Sequence, residues 1–488
     1  MTPTCGAALT RRNFLAATAL PALGALAGCG HRPAGAGPLH EIDLVARPAA
    51  AALQLPGRAP VAAWTYDGSV PGPEIRVAQG SRLRVNLLNQ LPAPTTVHWH
   101  GIRVPNAMDG VPHLTQPPVP PGGRFSYEFT VADAGTYWYH SHQQSAEQVE
   151  RGLYGALIVE ERQPMAVDRE LTWVLDDWRL EGSGQLSEPF VQPHDVAHAG
   201  RIGNVVTVNG RLPGPLAVQR GERLRLRLVN AANARIFALV FDGHRPLVIA
   251  IDGHPVAPHA PAEGRVVLAP GMRVDLVLDA IGEPGKRYAV GDVFYPRAAY
   301  DLLPLVYGTA PLREQALPAP RALPANPLAE PDLQSAVVHD IRFDGGMMGQ
   351  LHGATLNGQA MAMRSLLQAG KAWAVNGIVA AGHEPPHAAG HGHAEAPALD
   401  LRLGASYRLR LQNNTRWHHP IHLHGHTFRV LARNGLATPH REWQDTVLMA
   451  PDERVEIALV ADNPGLWMLH CHVLEHQHGG MMASFRVA

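Results

Sequence analysis

Cysteine is almost absent from this chain. Only three occur among 488 residues, and two of them, Cys5 and Cys29, lie in the Ala-rich leader at the N-terminus. Cys471 is therefore the one cysteine of the mature globular part, and it has no partner for an internal disulfide. A thiol that cannot form a disulfide remains available to bind a metal ion.

An excess of charge of one sign is also missing. The 41 Lys and Arg residues balance 42 Asp and Glu residues, which argues against nucleic acid or another polyionic partner. Helical periodicity is scarce, whereas 48 Gly and 43 Pro separate short segments of alternating apolar and polar residues. This pattern predicts an all-β protein of many short strands. The length exceeds what one core supports, so we expect about three domains.

Residues 1–29 have the features of an export signal. The segment TRRNFL at 10–15 precedes an apolar run and resembles a twin-arginine signal. The segment LAGC at 26–29 resembles a lipobox, which predicts that a lipid on Cys29 tethers the protein to a membrane; simple cleavage after residue 27 is the alternative. We expect a periplasmic or membrane-anchored protein, with residues 30–40 as a flexible tether.

One pattern occurs three times in the rest of the chain. Each copy has a turn (YDG at 66–68, VNG at 208–210 and at 375–377) and then an alternating strand that ends at Asn89, Asn230 or Asn413. Such strands bounded by turn residues are typical of β-sandwiches. We predict domains at 41–162, 165–315 and 335–488, with a Pro/Ala-rich linker at 316–334.

Paired histidines occupy equivalent positions in the first and third copies. The four His-x-His pairs are His98/His100, His140/His142, His422/His424 and His470/His472. The first pair of each copy begins nine residues after the repeated Asn, and the second begins five residues after a Gly. The middle copy has no histidine at these places, so we interpret it as a spacer without metal ligands. Histidines placed by chance would not align in this way.

The segment around Cys471 has the composition of a blue copper site. Such sites combine two His and one Cys with a weak axial Met; here His419, Cys471, His476 and Met481 are available. Neighbouring side chains on a strand point to opposite faces. Cys471 would therefore face one metal while the histidines on either side of it face others. Eight paired imidazoles suffice for three further copper ions.

Together these motifs resemble those of the multicopper oxidases, the family of three-domain laccases and bacterial cuprous oxidases. The resemblance covers residues 45–488 and rests on residues 98–101, 135–142, 419–425 and 470–481. It implies three consecutive cupredoxin-like Greek-key β-sandwich domains that bind four copper ions. The implied ligands are His419, Cys471, His476 and axial Met481 for type 1 copper, His98 and His422 for type 2 copper, and His100, His140, His142, His424, His470 and His472 for the type 3 pair.

The resemblance also implies the reaction. A type 1 copper would take single electrons from a reducing substrate, and the trinuclear cluster would reduce dioxygen to water. Asp109 lies where family members keep an acid that supplies protons, although an Asp before Gly110 is equally typical of a turn. Some relatives have a second acid where Gln477 stands here. Asp445 is a candidate to orient a ligand histidine.

The reducing substrate is open between Cu(I) and phenols or aromatic amines. Met347, Met348, Met361 and Met363 are a candidate Cu(I) substrate site, because soft thioethers bind Cu(I) and methionine-rich segments mark cuprous oxidases by resemblance. Adaptable packing is the alternative explanation for these methionines. The tract His383, His387, His391 and His393 could capture copper weakly or be a loop without a specific function.

Two other function classes explain the sequence less well. A copper-free structural protein of the same fold would have lost its ligands, and none is lost here. An exported copper-storage or electron-transfer protein would need only the site at Cys471, which leaves the eight paired histidines unexplained.

Overall fold

The computed structural model of the protein describes residues 37–53, 55–349, 351–382 and 397–488. The export signal predicted at 1–29, most of the tether at 30–40 and the histidine tract at 383–393 lie outside the described residues, so their assignments stay predictions. Within the described ranges, no helix is both long enough and apolar enough to span a membrane.

The first stretch of strands forms two four-stranded sheets. In spatial order, the strands are Val61–Tyr66, Leu39–Ala51, Arg82–Asn89 and Arg124–Thr130 in one sheet, and Ile75–Ala78, Tyr154–Glu160, Gly135–His140 and His98–His100 in the other. A 3₁₀ turn at Asn106–Met108 lies between the strands His98–His100 and Arg124–Thr130. A short helix at Ser145–Gln148 lies between the strands Gly135–His140 and Tyr154–Glu160. Leu83, Val85 and Leu87 are fully buried at alternate positions, because alternate side chains share one face of a strand.

The second stretch forms a six-stranded and a five-stranded sheet. The strands are Val205–Val208, Arg169–Trp178, Arg223–Asn230, Arg273–Asp279, Leu247–Ile251 and His254–His259 in the first, and Leu216–Val218, Tyr300–Tyr307, Arg287–Asp292, Phe237–Phe241 and Val266–Leu268 in the second. The helical segments are Pro193–Ala197, Ala262–Gly264 and Pro296–Ala298. Its apolar core includes Leu224, Leu226 and Leu228.

The third stretch forms a ten-stranded and a five-stranded sheet. The larger sheet contains Gln359–Ala362, Gly353–Leu356, Ile378–Val379, Trp373–Val375, Val337–Gly345, Ser406–Asn413, Arg454–Val460, Phe428–Arg433 and Leu436–Ala437, with Trp443–Gln444 also paired to Phe428–Arg433. The smaller sheet contains Leu399–Leu401, Met482–Val487, Gly465–Cys471, His419–Leu423 and Thr446–Met449. The helices are Met363–Gln368 and Leu474–His478.

The repeated asparagines make the same hydrogen bonds in all three stretches. Asn89, Asn230 and Asn413 are buried at the end of equivalent strands, and each Oδ1 accepts a hydrogen bond from the backbone N–H two residues later. Each Nδ2 donates to two backbone carbonyls. A buried amide satisfied in this way fixes the turn after the strand. The predicted all-β sandwich fold is confirmed, and the exact domain bounds stay a prediction.

Candidate metal centre

Strand pairing brings the paired histidines together within each domain. His98 lies opposite His140 in the first domain, and His422 lies opposite His470 in the third. Because alternate residues project to one face, both pairs of a domain face the same way. The two faces meet: the rings of His98 and His424 have centroids 4.0 Å apart, and those of His100 and His422 are 3.8 Å apart.

The eight paired histidines form three groups, two of which share His100. In each group the ligand atoms lie within 4.8 Å of one another; the groups are His98, His100 and His422; His100, His140 and His472; and His142, His424 and His470. Every ring is at most 2% exposed. The structure therefore collects all eight residues into one buried cluster, which we call the histidine cluster.

Hydrogen bonds to the backbone determine which ring nitrogens face into the histidine cluster. The Nδ1–H groups of His98, His140 and His422 donate to the carbonyls of Asp109, Ser141 and Asp445 at 2.8, 3.0 and 2.9 Å. Each Nε2 is then a lone-pair acceptor that faces inward. These three Nε2 atoms are buried and have no hydrogen-bond partner within the described part of the chain.

The protonation state of the cluster also suits metal binding. Burial lowers the pKa values of His100, His140, His142, His424 and His472 well below the ordinary histidine value, because the low-dielectric interior disfavours the charged ring. These five rings are thus neutral, which is the form that binds metals. Buried lone pairs without a donor are costly, so the cluster fits metal ions well.

A second site lies on the other face of the strand that ends at Cys471. The Cys471 Sγ is 3.4 Å from His419 Nδ1 and 3.6 Å from His476 Nδ1, and the two nitrogens are 3.1 Å apart. All three residues are fully buried. The outer nitrogens are occupied, since His419 Nε2–H donates to Thr415 Oγ1 at 2.8 Å and His476 Nε2–H donates to the His198 carbonyl at 2.6 Å. Two Nδ1 atoms and one sulfur are thereby left to face one ion.

Met481 and the surrounding residues complete an apolar shell. Met481 is fully buried with Cys471, its N–H donates to the His476 carbonyl at 2.9 Å, and its carbonyl accepts from the Cys471 N–H at 3.1 Å. The Trp373 ring lies 4.4 Å from the His476 ring. Burial raises the pKa of the Cys471 thiol, so the metal-free site holds a thiol and metal binding would displace its proton.

Asp109 contacts histidines of both the first and the third domain. It is fully buried, its Oδ2 accepts from His424 Nδ1 at 2.9 Å, and its Oδ1 lies 3.3 Å from His98 Nδ1. Its backbone N–H also donates to the Asn106 carbonyl at the end of the 3₁₀ turn. The turn interpretation is therefore correct as far as it goes, but the carboxylate lies at the histidine cluster. Its part in proton supply stays a prediction.

The four methionines separate into two kinds. Met347 and Met348 are 44% and 68% exposed, whereas Met361 and Met363 are partly buried against an apolar cluster that contains Leu366. Packing thus accounts for the second pair. The first pair lies on the surface, and the Met347 N–H donates to the Ala197 carbonyl at 2.8 Å.

The interpretation of the middle domain as a spacer missed three of its groups. The His198 carbonyl supports His476, as described above, and the side chains of Asp252 and Arg273 contact Asp445 and its neighbour Thr446 in the third domain. None of these groups belongs to a recognisable motif. A buried Arg beside an acid is the kind of pair that only tertiary structure reveals.

Comparison with known protein families identifies the same family in three segments of the chain. Three sequence models of multicopper oxidases match residues 50–164, 169–301 and 371–488. They cover the first and third stretches of strands, which hold the histidine cluster, and the middle stretch.

Individual relatives agree with that result. The chain is 31% identical to the multicopper oxidase MmcO of Mycobacterium tuberculosis in an alignment 453 residues long, which covers 86% of this chain and 82% of that protein. The crystal structure of a multi-copper oxidase from Pseudomonas thermotolerans has 37% identity and a TM-score of 0.80, over 93% of this chain and 100% of that one. A Campylobacter jejuni multicopper oxidase described as a metallo-oxidase has 26% identity and a TM-score of 0.75, over 92% and 91%.

Proposed function

Because this chain belongs to the multicopper oxidase family, we propose that it oxidises Cu(I) one electron at a time and reduces dioxygen to water with the electrons collected. It is an oxidoreductase of that family, and phenols or aromatic amines are the alternative donors. One observation carries the proposal: Cys471, which faces His419 and His476, is bonded in the chain to His470 and His472, which belong to two different groups of the histidine cluster.

The donor sets fit four copper ions, which would supply one-electron transfer and the binding of dioxygen. We propose that His419, Cys471, His476 and Met481 would hold the type 1 ion, that His98 and His422 would hold the type 2 ion, and that His100, His140, His472, His142, His424 and His470 would hold the type 3 pair. This division of the type 3 ligands is supported by the grouping of His100 with His140 and His472, and of His142 with His424 and His470.

The chain itself contributes three things to this reaction. The peptide bonds from Cys471 to its two neighbours provide a short covalent path between the sites. Burial of every paired histidine keeps bulk water away from reactive oxygen species. The Asp109 carboxylate, 2.9 Å from His424 Nδ1, is placed to hold and deliver a proton at the histidine cluster.

The surface near His476 favours Cu(I) as the donor. The His198 carbonyl accepts from His476 Nε2, and the preceding residue, Ala197, accepts from the Met347 N–H. The Met347 carbonyl in turn accepts from Trp417 Nε1 at 3.0 Å. The exposed Met347, whose thioether is a soft ligand for Cu(I), is therefore connected to His476, a proposed type 1 ligand, through two hydrogen bonds and the peptide bond between Ala197 and His198. The C. jejuni relative described as a metallo-oxidase agrees with this preference.

The proposed function is tested by copper content and oxygen uptake together. We expect about four copper ions per chain and four Cu(I) ions consumed for each dioxygen, without release of hydrogen peroxide. Elemental analysis and an oxygen electrode give both numbers. A content near one copper per chain without oxygen uptake would instead indicate an electron-transfer or storage protein.

The methionines provide a test of the donor. Replacing Met347 and Met348 together by Leu should lower kcat/KM for Cu(I) by about tenfold, equivalent to about 1.4 kcal/mol, and leave the rate with a methoxyphenol unchanged. The matched control replaces Met361 and Met363 by Leu, which keeps their packing and should change neither rate. If the Met347 and Met348 variant lost the same fraction of its rate with both donors, a laccase would be favoured. A parent protein that oxidises the phenol faster than Cu(I) would favour the same conclusion.

A further inference from the structure

Arg273 of the middle domain is fully buried beside ligands of the other two domains. Its Nη1 donates to Asp445 Oδ1 at 2.8 Å, and its Nη2 donates to Asp445 Oδ2. Two further N–H groups of the guanidinium donate to backbone carbonyls, Nε to Thr136 at 3.2 Å and Nη1 to Gly271 at 3.0 Å. A bidentate ion pair of this kind fixes the plane and the orientation of the carboxylate.

The carboxylate held by Arg273 touches two histidines of the cluster. Asp445 Oδ1 accepts from His100 Nε2 at 3.1 Å, and the Asp445 backbone carbonyl accepts from His422 Nδ1 at 2.9 Å. Thr446 Oγ1 donates to Asp445 Oδ1 at 2.8 Å and lies 3.1 Å from His100 Nε2. Asp445 of the third domain therefore orients a histidine of the first domain.

Asp252, also of the middle domain, accepts hydrogen bonds from the backbone N–H groups around Arg273 and Asp445. Its Oδ1 accepts from the Arg273 N–H at 3.0 Å, and its Oδ2 accepts from the N–H groups of Asp445 and Thr446 at 3.2 and 3.1 Å. Both the backbone and the side chain of Asp445 are thus anchored to the middle domain.

His100 differs from the neighbouring ligands in the nitrogen that it presents. His98, His140 and His422 direct Nδ1–H outward, as described above. His100 directs Nε2 outward to Asp445, and its Nδ1 is buried and has no hydrogen-bond partner within the described residues. A neutral imidazole that donates from one nitrogen offers its lone pair on the other. The position of Asp445 therefore decides which nitrogen of His100 faces the metal.

Gly101 provides independent evidence that this close approach is built into the chain. Its φ is +85°, and a Cβ there would lie 2.2 Å from Arg273 Nη2 and 2.6 Å from Asp445 Oδ2. Only glycine leaves room for the ion pair directly beside His100.

We propose that Arg273 is a positioning residue: by fixing Asp445, it orients His100 and His422 and thereby makes copper retention at the two groups that contain His100 depend on the middle domain. The inference rests on the proposed copper content, but not on the identity of the reducing substrate. A guanidinium suits this role because it keeps its charge when buried, and loss of it would leave the Asp445 carboxylate buried without a counterion.

The test compares Arg273→Met and Arg273→Lys in the full chain loaded with copper. Changes in residues that orient metal ligands cost about 10–100-fold in metal affinity. We expect that loss for the copper ions at the two His100-containing groups with Arg273→Met, a smaller loss with Arg273→Lys, and an unchanged blue absorption from copper on Cys471. Chelator competition, elemental analysis and electron paramagnetic resonance measure these quantities without turnover.

Two further variants make the result specific. Arg235→Lys is the matched control, since Arg235 is a buried arginine of the same domain that pairs with Asp177 at 2.8 Å; it should keep all copper. Gly101→Ala should reproduce the selective loss without altering any charge.

The outcomes separate this inference from the proposed function. Unchanged copper retention in the Arg273 and Gly101 variants would overturn the inference alone. Equal loss from all sites, together with a lowered thermal midpoint of the metal-free protein, would show a merely structural role and also overturn it. A parent protein that binds only one copper ion would overturn both.

Discussion

Replacing Cys471 by serine is expected to remove the blue absorption and to lower oxygen uptake by more than about 100-fold, since even outer partners of metal ligands cost about 10–100-fold. The thiolate is both a ligand and the covalent connection to His470 and His472, and a serine hydroxyl is a hard ligand that suits copper poorly at this site. The histidine cluster on the opposite face should still take up copper. Absorption spectra, copper content and an oxygen electrode measure the three effects.

The first domain provides the control for this change. Ser141 occupies the equivalent strand position between His140 and His142, and its Oγ bonds to Gln148 Oε1 at 2.6 Å rather than to a metal ligand. Ser141→Ala should therefore keep the blue absorption. A Cys471→Ser protein that remained blue would show that the thiolate is not the ligand of this copper.

Replacing Asp109 by asparagine should lower the rate of oxygen reduction by about 100-fold or more, because a positioned proton donor contributes about 10²–10⁴-fold. The amide keeps an oxygen that can accept from His424 Nδ1, so copper content should be unchanged, but it cannot hold and deliver a proton. Stopped-flow reoxidation of the fully reduced protein by dioxygen isolates this step from oxidation of the donor.

Two further variants show whether the effect is specific to the Asp109 carboxylate. Asp462→Asn alters an acid that pairs with Arg103 at 3.2 Å on the surface side and should leave reoxidation unaffected. Asp109→Ala should add copper loss to slow reoxidation, because His424 also loses its hydrogen-bond acceptor. If Asp109→Asn were reoxidised at the parent rate, the carboxylate would serve only the turn and the orientation of His424.

Much of the site could be predicted because its candidate ligands lie close together in the sequence. A His-x-His pair on a strand must project two rings to one face, and a residue between them must face the other way. The alignment of the repeats at Asn89 and Asn413 placed those pairs in equivalent strands, and buried asparagine side chains that make the same three hydrogen bonds explain why the register is kept.

The solvent exposure of the four methionines could not be predicted from the sequence. All four are equally soft ligands in the sequence, yet Met348 is 68% exposed and Met363 packs against two apolar clusters. Whether a side chain meets solvent or a core depends on the strands and helix that follow residue 350. Composition alone does not contain that information.

By itself, then, the sequence determined the all-β fold, the two repeats that carry paired histidines and the position of Cys471 between two of those histidines, because strand periodicity and covalent spacing are properties of short segments. Only the tertiary structure decided which ring nitrogens face the metals and which groups hold them there. His100 and Asp445 are 345 residues apart in the chain, and Arg273 contacts Asp445 from the middle domain. Contacts of this kind depend on how folded surfaces meet, and no local pattern encodes them.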